Sequence, residues 1–285
     1  MEDRIRRINA DDVSRAVRDL FLQANSVIGE DVKACLDCAI KAEQNELARG
    51  VLTAIRENDS IASEKGLPIC QDTGMAVLFA EVGSLVHIEG DTLENAVNRG
   101  VSEAYLDGKL RCSVVRDPLF YRENTGNNTP AILHIRTVPG DRLRLLAAPK
   151  GFGSENMSAL KMFTPSAKSE DIVDFVVGAV KKAGSNPCPP VTVGVGIGSD
   201  FEGCALLAKY ALTRPLTDSH PDPNYAALEK TILERINALG IGPQGFGGDT
   251  SAFAVKIEVG PTHIAGLPVA VNVNCHVVRH AGVVL

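Results

Sequence analysis

The spacing of apolar residues changes once along this chain, at Gly66-Leu67-Pro68. Before this point apolar side chains recur every three or four residues, which is the helical period. The two helical stripes consist of Val13, Ala16, Val17, Leu20, Phe21 and Ala24, and then of Val32, Leu36, Ala39 and Ile40. After this point short β-rich runs alternate with turns, as at 76–80 and 131–135, and such runs predict strands. The sequence therefore predicts an α/β fold, with N-terminal helices followed by mixed β-sheet regions and packed helices.

The second part of the chain alternates predicted helices with predicted strands. The helices begin after Asp91, where Glu94 completes a capping box, at Ser169 and at Tyr225. The strands are predicted at 191–195, 253–259 and 269–273. No internal repeat or charged linker divides the chain, and the proline-rich stretch 185–190 reads as a long loop or a boundary. We therefore expect one catalytic domain over residues 1–285, with a helical part at 1–66 and an α/β part at 67–285.

The charge balance argues against two classes of partner. The chain has 285 residues, of which 45% are hydrophobic and 22% charged, and its formal net charge is -6 at pH 7. No diffuse positive field exists to hold nucleic acid or anionic lipid. The longest uncharged run, 259–278, contains prolines, asparagines and histidines and is too polar to span a bilayer. Because the first residues also lack the apolar core of a secretory signal, we expect a cytoplasmic protein without nucleic-acid or membrane partners.

The seven cysteines need an explanation other than disulfides, since a reducing compartment is expected. Cys35 and Cys38 form the only C-x-x-C, but they lie inside a predicted helix and are interpreted as packing residues. Cys112 and Cys188 have no polar constellation around them and receive the same interpretation. Three others differ, because each lies in a glycine-rich or polar stretch at or near a predicted turn, where ligands are usually presented. These three are Cys70, Cys204 and Cys275.

The spacing of these three cysteines is, by itself, only weak support for an iron–sulfur cluster site. Cys70 and Cys204 are 134 residues apart and Cys204 and Cys275 are 71 apart, so there is no compact ferredoxin-like run. Three thiolates on a four-iron cluster would leave one iron without a protein ligand, and such an open site suits Lewis-acid catalysis. Cys204 is expected near the start of a helix, whose N-terminus favours a thiolate.

Other polar motifs have two interpretations when each is taken singly. The run Gly194-Val195-Gly196-Ile197-Gly198 lacks the G-x-G-x-x-G of a dinucleotide site and predicts a sharp turn instead. The backbone N–H groups of the stretch 150–156, together with Lys150, suit a carboxylate or phosphate, but the stretch also reads as a plain turn. Arg111 is either a solvated charge or a bidentate carboxylate ligand. His263 is either structural or catalytic.

Six motifs in one order resemble those of class I fumarases and the related tartrate dehydratase α subunits over nearly the whole chain. They are Pro68-Ile69-Cys70-Gln71-Asp72-Thr73-Gly74, Leu110-Arg111, Asn124-Thr125-Gly126-Asn127-Asn128, Lys150-Gly151-Phe152-Gly153-Ser154-Glu155-Asn156, Pro261-Thr262-His263 and Val273-Asn274-Cys275-His276. Chance does not produce six ordered motifs. The sequence is therefore identified as similar to iron–sulfur hydro-lyases of this family.

The resemblance implies a role for each motif. It implies a [4Fe-4S] cluster whose ligands are Cys70, Cys204 and Cys275. It further implies a group of residues that approach the dicarboxylate substrate, with Arg111 as a carboxylate clamp and Asp72 as the proton donor to the departing hydroxyl. The group consists of Gln71, Asp72, Arg111, Gly153 and His263, and Lys150 joins it as a predicted anion-binding residue.

The resemblance also implies a partner. The sequence stops at Leu285, ten residues after Cys275, whereas single-chain members of the family continue into a C-terminal domain that supplies a catalytic base, thought to be a threonine. In two-subunit members a separate β polypeptide carries those residues. The chain is accordingly expected to be the α subunit of a class I fumarate hydratase, which reversibly dehydrates (S)-malate to fumarate in the tricarboxylic acid cycle, within a higher oligomer.

Three alternatives remain open on the sequence. The first is an L(+)-tartrate dehydratase α subunit, which uses the same chemistry on a substrate with one more hydroxyl. The second is a non-catalytic iron–sulfur scaffold or sensor. The third is a cysteine hydrolase that pairs Cys70 with His263.

Overall fold

The computed structural model of this protein describes residues 5–285 and divides into two compact units. Unit 1 consists of the described part of Met1–Ile28 together with Asp59–Gly151 and Arg279–Leu285. Unit 2 consists of Gly29–Asn58 and Phe152–Val278. Residues 1–4 of the predicted helical part lie outside the described residues. The expectation of one catalytic domain over the whole chain stays a prediction.

Helices and strands alternate over most of the described chain. The helices are α1 (Ala10–Ser26), α2 (Glu30–Ala42), α3 (Glu46–Lys65), α4 (Leu93–Asp107), α5 (Phe152–Glu155), α6 (Ser169–Ala183), α7 (Phe201–Ala211) and α8 (Pro223–Asn237). The strands are β1 (Arg6–Asn9), β2 (Val77–Gly83), β3 (Val86–Glu89), β4 (Ile132–Val138), β5 (Leu143–Ala147), β6 (Ala159–Phe163), β7 (Val191–Ser199), β8 (Ala252–Thr262), β9 (Leu267–Asn274) and β10 (Ala281–Val284). The predicted α/β class is confirmed.

Unit 1 has a mixed four-stranded sheet in the order β10-β5-β2-β4, in which β2 runs parallel to β4 and antiparallel to β5. A separate parallel pair joins β1 to β3. Helices α1 and α4 supply much of the apolar core through Val17, Phe21 and Tyr105. A Cβ atom at Gly100 of α4 would collide with the carbonyl oxygen of Ser14 in α1, so glycine allows the two helices to cross closely.

The start of α4 differs in detail from the prediction. The capping residue is Thr92, whose Oγ1 accepts from the N–H of Asn95 at 3.1 Å. Asp91 instead accepts from the N–H of Thr92 at 2.7 Å, so the capping box between Asp91 and Glu94 is wrong although the helix is confirmed. The helical N-terminus is also preceded by β1, because Arg6–Asn9 pairs with a distant strand that local periodicity does not show.

Unit 2 has a mixed sheet in the order β6-β9-β7-β8. The central strand β7 runs parallel to β8 and antiparallel to β9, and its residues from Val191 to Gly198 are all buried. Alternate side chains of a strand point to opposite faces. The valines of β7 pack with α6 and α8, whereas Gly194 and Gly196 face α7.

The glycine run of β7 serves close helix packing. A Cβ atom at Gly194 would collide with the carbonyl oxygen of Ala208, and one at Gly196 with that of Cys204. Helix α7 therefore rests directly on the strand backbone, which a larger residue would prevent. Close packing against α7 therefore accounts for the glycines of β7, and no dinucleotide-binding site is needed to explain them.

No helix between Ile5 and Leu285 combines the length and apolar character that a bilayer span requires.

Candidate functional site

Cys70 lies in the turn between α3 and β2 in unit 1, and its side chain is half-buried. The N–H of Asp72 donates to Cys70 Sγ at 3.4 Å, and Asp72 Oδ1 accepts from the N–H of Gly74 at 3.1 Å. Gly74 has φ +83, and a Cβ atom there would lie 2.8 Å from the backbone of Lys150. Only glycine fits this position, so the loop 70–74 has one fixed path beside Lys150.

Side chains from other parts of unit 1 hold this loop in place. Tyr105 Oη lies 3.0 Å from the carbonyl oxygen of Thr73 and 2.8 Å from that of Gly74, and Asn128 Nδ2 donates to the Gly74 carbonyl at 3.1 Å. Burial raises the pKa of Tyr105, so its hydroxyl keeps the proton that it donates. The loop therefore rests on buried, satisfied hydrogen bonds and not on solvent-exposed contacts.

Arg111 is attached to the same loop. Its N–H donates to Thr73 Oγ1 at 3.0 Å, and Thr73 Oγ1 lies 3.3 Å from the Arg111 carbonyl oxygen. The residue is exposed, and its guanidinium has no hydrogen-bond or ion-pair partner within residues 5–285. Gln71 is also exposed, and its Oε1 lies 3.5 Å from Cys70 Sγ. The exposed guanidinium of Arg111 is therefore available to bind a carboxylate.

Lys150 lies against the loop but does not offer its backbone as predicted. Its N–H donates to the Met75 carbonyl oxygen at 2.9 Å, and its own carbonyl accepts from the Met75 N–H at 2.9 Å. The N–H of Lys150 is therefore not one of the free backbone N–H groups of the stretch 150–156. Lys150 is buried, at 4% exposure.

In unit 2, Cys275 directly follows β9 and is half-buried. The next residue, His276, donates its N–H to the carbonyl oxygen of Cys188 at 3.1 Å. Gln244 Nε2 lies 3.2 Å from His276 Nδ1 and donates to the carbonyl oxygen of Pro189 at 2.8 Å. These bonds hold the proline-rich loop that carries Cys188 beside Cys275.

Gly153 borders the same loop of unit 2. A Cβ atom on Gly153 would lie 3.3 Å from the carbonyl oxygen of Asn186. Cys188 itself is exposed and has φ 53, a backbone conformation that few side chains adopt. Such backbone strain is found at functional sites more often than elsewhere, so the loop is a candidate ligand-presenting segment.

Cys204 has different surroundings in unit 2. It lies one turn inside α7, is fully buried, and packs with Ala208, Ala270 and Leu160. Its Sγ lies 3.4 Å from the carbonyl oxygen of Phe201 in its own helix. Burial raises the pKa of its thiol, which opposes the thiolate that the helix N-terminus was expected to favour.

The strand register separates Cys204 from Cys275. Strand β7 pairs Thr192 with Asn274 and Gly196 with Ala270, and the Cys204 backbone contacts β7 at Gly196. Cys275 is five positions after Ala270, which corresponds to about 16 Å at the usual rise of a strand. Thiolates that share one cluster must all reach it through direct iron–sulfur bonds. The geometry of unit 2 therefore argues against Cys204 and Cys275 as ligands of one cluster. Cys188, in contrast, lies at the same end of the strands as Cys275.

His263 lies near the opposite end of the strands of the same sheet from Cys275. It follows β8, whose last residue Thr262 pairs with Ser199 at the far end of β7 from Asn274. The ring is exposed, and Nδ1 accepts from the N–H of Ala265 at 3.1 Å. The structure thus does not bring His263 to the edge of unit 2 where Cys275 lies.

The cysteines remain a chemically suitable donor set for an iron–sulfur cluster. All seven lie within the described residues and none of them forms a disulfide there, and the N–H bond to Cys70 Sγ is of the kind that stabilises a ligating sulfur. Within residues 5–285, no group of three or more His, Cys, Asp or Glu side chains is gathered in an arrangement that could hold a metal ion. The ligand set therefore stays a prediction.

Sequence reasoning missed several residues of this site. Tyr105 and Asn128 resemble ordinary helix and turn residues, and their bonds to the loop 70–74 become apparent only in the fold. Cys188 carried a usable signal, because it lies in a proline-rich turn just before a strand. Arg279 carried a weaker signal, as the first charge after the long uncharged run 259–278.

Comparisons with known proteins cover nearly the whole chain. A family profile described as Fumarate hydratase (Fumerase) matches residues 14–284. A Methanocaldococcus jannaschii protein named Putative L(+)-tartrate dehydratase subunit alpha is 42% identical over 274 residues, covering 94% of this chain and 96% of that protein. The L(+)-tartrate dehydratase subunit alpha of Escherichia coli O157:H7 is 34% identical over 236 residues, covering 82% of this chain and 78% of that protein. The protein of the same name from Shigella boydii serotype 4 is 33% identical over the same length.

Proposed function

We propose a function from the premise that this chain belongs to the fumarate hydratase (Fumerase) family. The family consists of hydro-lyases, so the chain is part of a lyase. Within it, we propose the α subunit of a two-subunit [4Fe-4S] class I fumarate hydratase that interconverts (S)-malate and fumarate. The observation that carries the proposal is the attachment of Arg111 to the loop 70–74, which joins a carboxylate ligand to a cysteine and an acid.

Residues of unit 1 have distinct roles in this proposal. Arg111 binds one substrate carboxylate through its two parallel N–H groups, which fixes the orientation of the substrate. Asp72 donates a proton to the departing hydroxyl, since hydroxide is a poor leaving group and needs an acid. Gln71 and Lys150 supply a hydrogen bond and a positive charge to the second carboxylate, where negative charge develops during elimination. Gly153 and His263 remain proposed members of the site from sequence.

The proposed cluster has Cys70 and Cys275 as two of its ligands. For the third ligand we propose Cys188, because unit 2 places it beside Cys275, and Cys204 remains the sequence-derived alternative. When bound, a cluster with one iron free of protein ligands supplies a Lewis acid to the substrate hydroxyl and one carboxylate.

A separate β subunit completes the proposed enzyme. The relatives described above are named as alpha subunits, which supports a partner polypeptide. We propose that this partner carries the catalytic base, that the assembly is a higher oligomer, and that it acts in the cytoplasm as part of the tricarboxylic acid cycle.

Tartrate is the second candidate substrate, because the relatives are named L(+)-tartrate dehydratase subunits. Tartrate carries a hydroxyl at the carbon where malate carries only hydrogens. A site that bonds this hydroxyl rejects malate strongly, whereas a site without such a partner rejects tartrate by only about a hundredfold. The ratio of the two activities therefore distinguishes the candidates.

Turnover of both acids by the two-subunit complex tests the proposed function. We expect the complex, purified without oxygen and with its cluster intact, to have a kcat/KM for malate about a hundredfold above that for tartrate. A reversed ratio would make the chain a tartrate dehydratase subunit. A complex that holds its cluster but turns over neither acid would support the scaffold alternative.

Replacement of Arg111 by lysine tests the carboxylate clamp. Lysine keeps the charge but loses the planar fork, so we expect kcat/KM for malate to fall about a hundredfold, as for one lost charge-assisted contact. Arg142→Lys is the matched control, since Arg142 is exposed in the turn between β4 and β5. Wild-type kinetics for Arg111→Ala would remove Arg111 from the site.

A further inference from the structure

Arg279 is a buried cation in the segment that leads into β10. The residue is 4% exposed, Nη1 donates to Asn25 Oδ1 at 3.0 Å, and Nη2 donates to the carbonyl oxygen of Asp72 at 2.6 Å. Its Nε has no partner, and no carboxylate of residues 5–285 lies within ion-pair distance of its guanidinium. Pairing with a buried acid therefore does not explain this arginine.

Burying an arginine in this way is costly. A desolvated guanidinium loses its hydration, and an N–H group left unbonded adds to the loss. An apolar side chain of similar volume would fill the same space at lower cost. The role of Arg279 is therefore sought in the two hydrogen bonds that it makes. One is to Asp72 in the loop 70–74, and the other is to Asn25, which bonds Ile69 just before that loop.

The bond to Asp72 has consequences for Cys70. The peptide unit that follows Asp72 begins with the carbonyl held by Arg279, and the peptide unit that precedes it carries the N–H that reaches Cys70 Sγ. A shift of this carbonyl would rotate the backbone of Asp72. The rotation would move the Asp72 carboxylate and also the N–H that donates to Cys70 Sγ. The Asp72 backbone thus connects Arg279 to two side chains that Arg279 does not bond directly.

Asn25 and Gly151 lie on two sides of Arg279. Asn25, at the end of α1, accepts from Arg279 and also receives the N–H of Ile69 on its carbonyl oxygen at 2.9 Å. On the other side, a Cβ atom on Gly151 would lie 3.2 Å from Asp72 Oδ2 and 3.4 Å from Arg279 Nη2. The guanidinium and the Asp72 carboxylate therefore border the same small space, which the absence of a side chain at Gly151 keeps open.

We propose that Arg279 is a positioning residue, whose forked guanidinium fixes the Asp72 carbonyl against Asn25 and so orients the Cys70 thiol and the Asp72 carboxylate. The proposal rests on the proposed function, in which those two groups act on the cofactor and the substrate. Arg279 itself touches neither. Its effect is on the geometry of the loop 70–74, which can be measured without turnover.

Amide hydrogen exchange of the complete α and β complex tests the proposal. In Arg279→Lys, which keeps the charge and loses the fork, we expect the amides of residues 72–74 to exchange about tenfold faster. We also expect kcat for malate to fall about a hundredfold while KM changes by less than about threefold, because misorientation of reacting groups affects the transition state more than substrate binding.

The matched control is Arg214→Lys in unit 2. Arg214 is also a mostly buried arginine, but its bonds are to Asp218 and Glu229 within unit 2. This variant is expected to lose thermal stability and to leave exchange at 72–74 unchanged. Unchanged exchange at 72–74 in a folded Arg279→Lys would overturn the proposal.

A second variant covers the case in which Arg279→Lys does not fold. Gly151→Ala places a methyl group between the Asp72 carboxylate and the guanidinium, and we expect faster exchange at 72–74 here too. Unchanged exchange in this variant would count against the positioning role. A wild-type complex inactive on malate and tartrate would instead refute the proposed function, while the exchange comparison would still decide the role of Arg279.

Discussion

The chain on its own, with a reconstituted cluster but without a partner subunit, is expected to interconvert malate and fumarate at least about a thousandfold more slowly than the two-subunit complex. Elimination needs an acid at the departing hydroxyl and a base for the proton at C3. In the proposed function Asp72 is the acid, Arg111 is the carboxylate clamp, and the base belongs to the partner subunit. Loss of one member of a cooperating catalytic group typically costs orders of magnitude.

The measurement compares α alone with an anaerobic mixture of α and β at equal cluster content, as determined by iron and sulfide analysis, and β alone serves as the blank. Mixing is expected to restore turnover, and size-exclusion chromatography is expected to show the complex. The Arg142→Lys α subunit serves as a control for handling losses. Purified α that turns over malate as fast as the mixture would refute both the two-subunit proposal and the assignment of the base to the partner.

Replacement of the cysteines is expected to have the second largest effect. Serine at Cys70 or Cys275 is expected to abolish the [4Fe-4S] cluster, because a hydroxyl does not replace a thiolate ligand. The informative pair is Cys188 and Cys204. Since unit 2 places Cys188 beside Cys275 and buries Cys204 among apolar residues, we expect Cys188→Ser to lose the cluster and Cys204→Ala to keep it.

Cluster content is measured by iron and sulfide analysis and by the visible absorption of anaerobically reconstituted protein. Alanine is chosen at Cys204 because a hydroxyl in that apolar contact would cost about 1–3 kcal/mol by itself. Serine at Cys35, Cys38 or Cys112 is expected to leave the cluster intact. A folded Cys204→Ala without cluster, together with a Cys188→Ser that retains it, would restore the ligand set predicted from sequence.

The fold class was predictable because it depends on local patterns. The helical stripes before residue 66 and the short apolar runs after it predicted the elements, and α6 begins at Ser169 and ends before Gly184 as expected. Strand β1 was not predictable, since Arg6–Asn9 is too short to show a period and depends on its pairing with β3. The glycine run of β7 was misjudged as a turn because close packing of a helix leaves no local signal.

In the candidate site, too, residues in local motifs were predictable from the sequence, and residues that depend on distant contacts were not. The loop 70–74 and Arg111 were predicted as site residues because each belongs to a compact motif, and in the fold a hydrogen bond to Thr73 joins them. Arg279 was missed because its partners, Asn25 and Asp72, are 254 and 207 residues away in sequence. Cys204 was preferred to Cys188 because sequence shows turns and glycines but not strand register. Register decides which end of a strand each cysteine reaches.

The long sequence separation of the Arg279 contacts also affects the order of synthesis and maturation. Unit 1 is built from the beginning, the middle and the end of the chain, and β10 pairs with β5 only when the last residues are available. Contacts between distant residues form late because loop closure costs entropy before any contact forms. We therefore expect the Cys70 loop to reach its final position only after the segment from Arg279 through β10 has been synthesised. Assembly of the proposed cluster is then expected to follow the synthesis of this segment, and a chain that ends before Arg279 is expected to lack the bond that holds the Asp72 carbonyl.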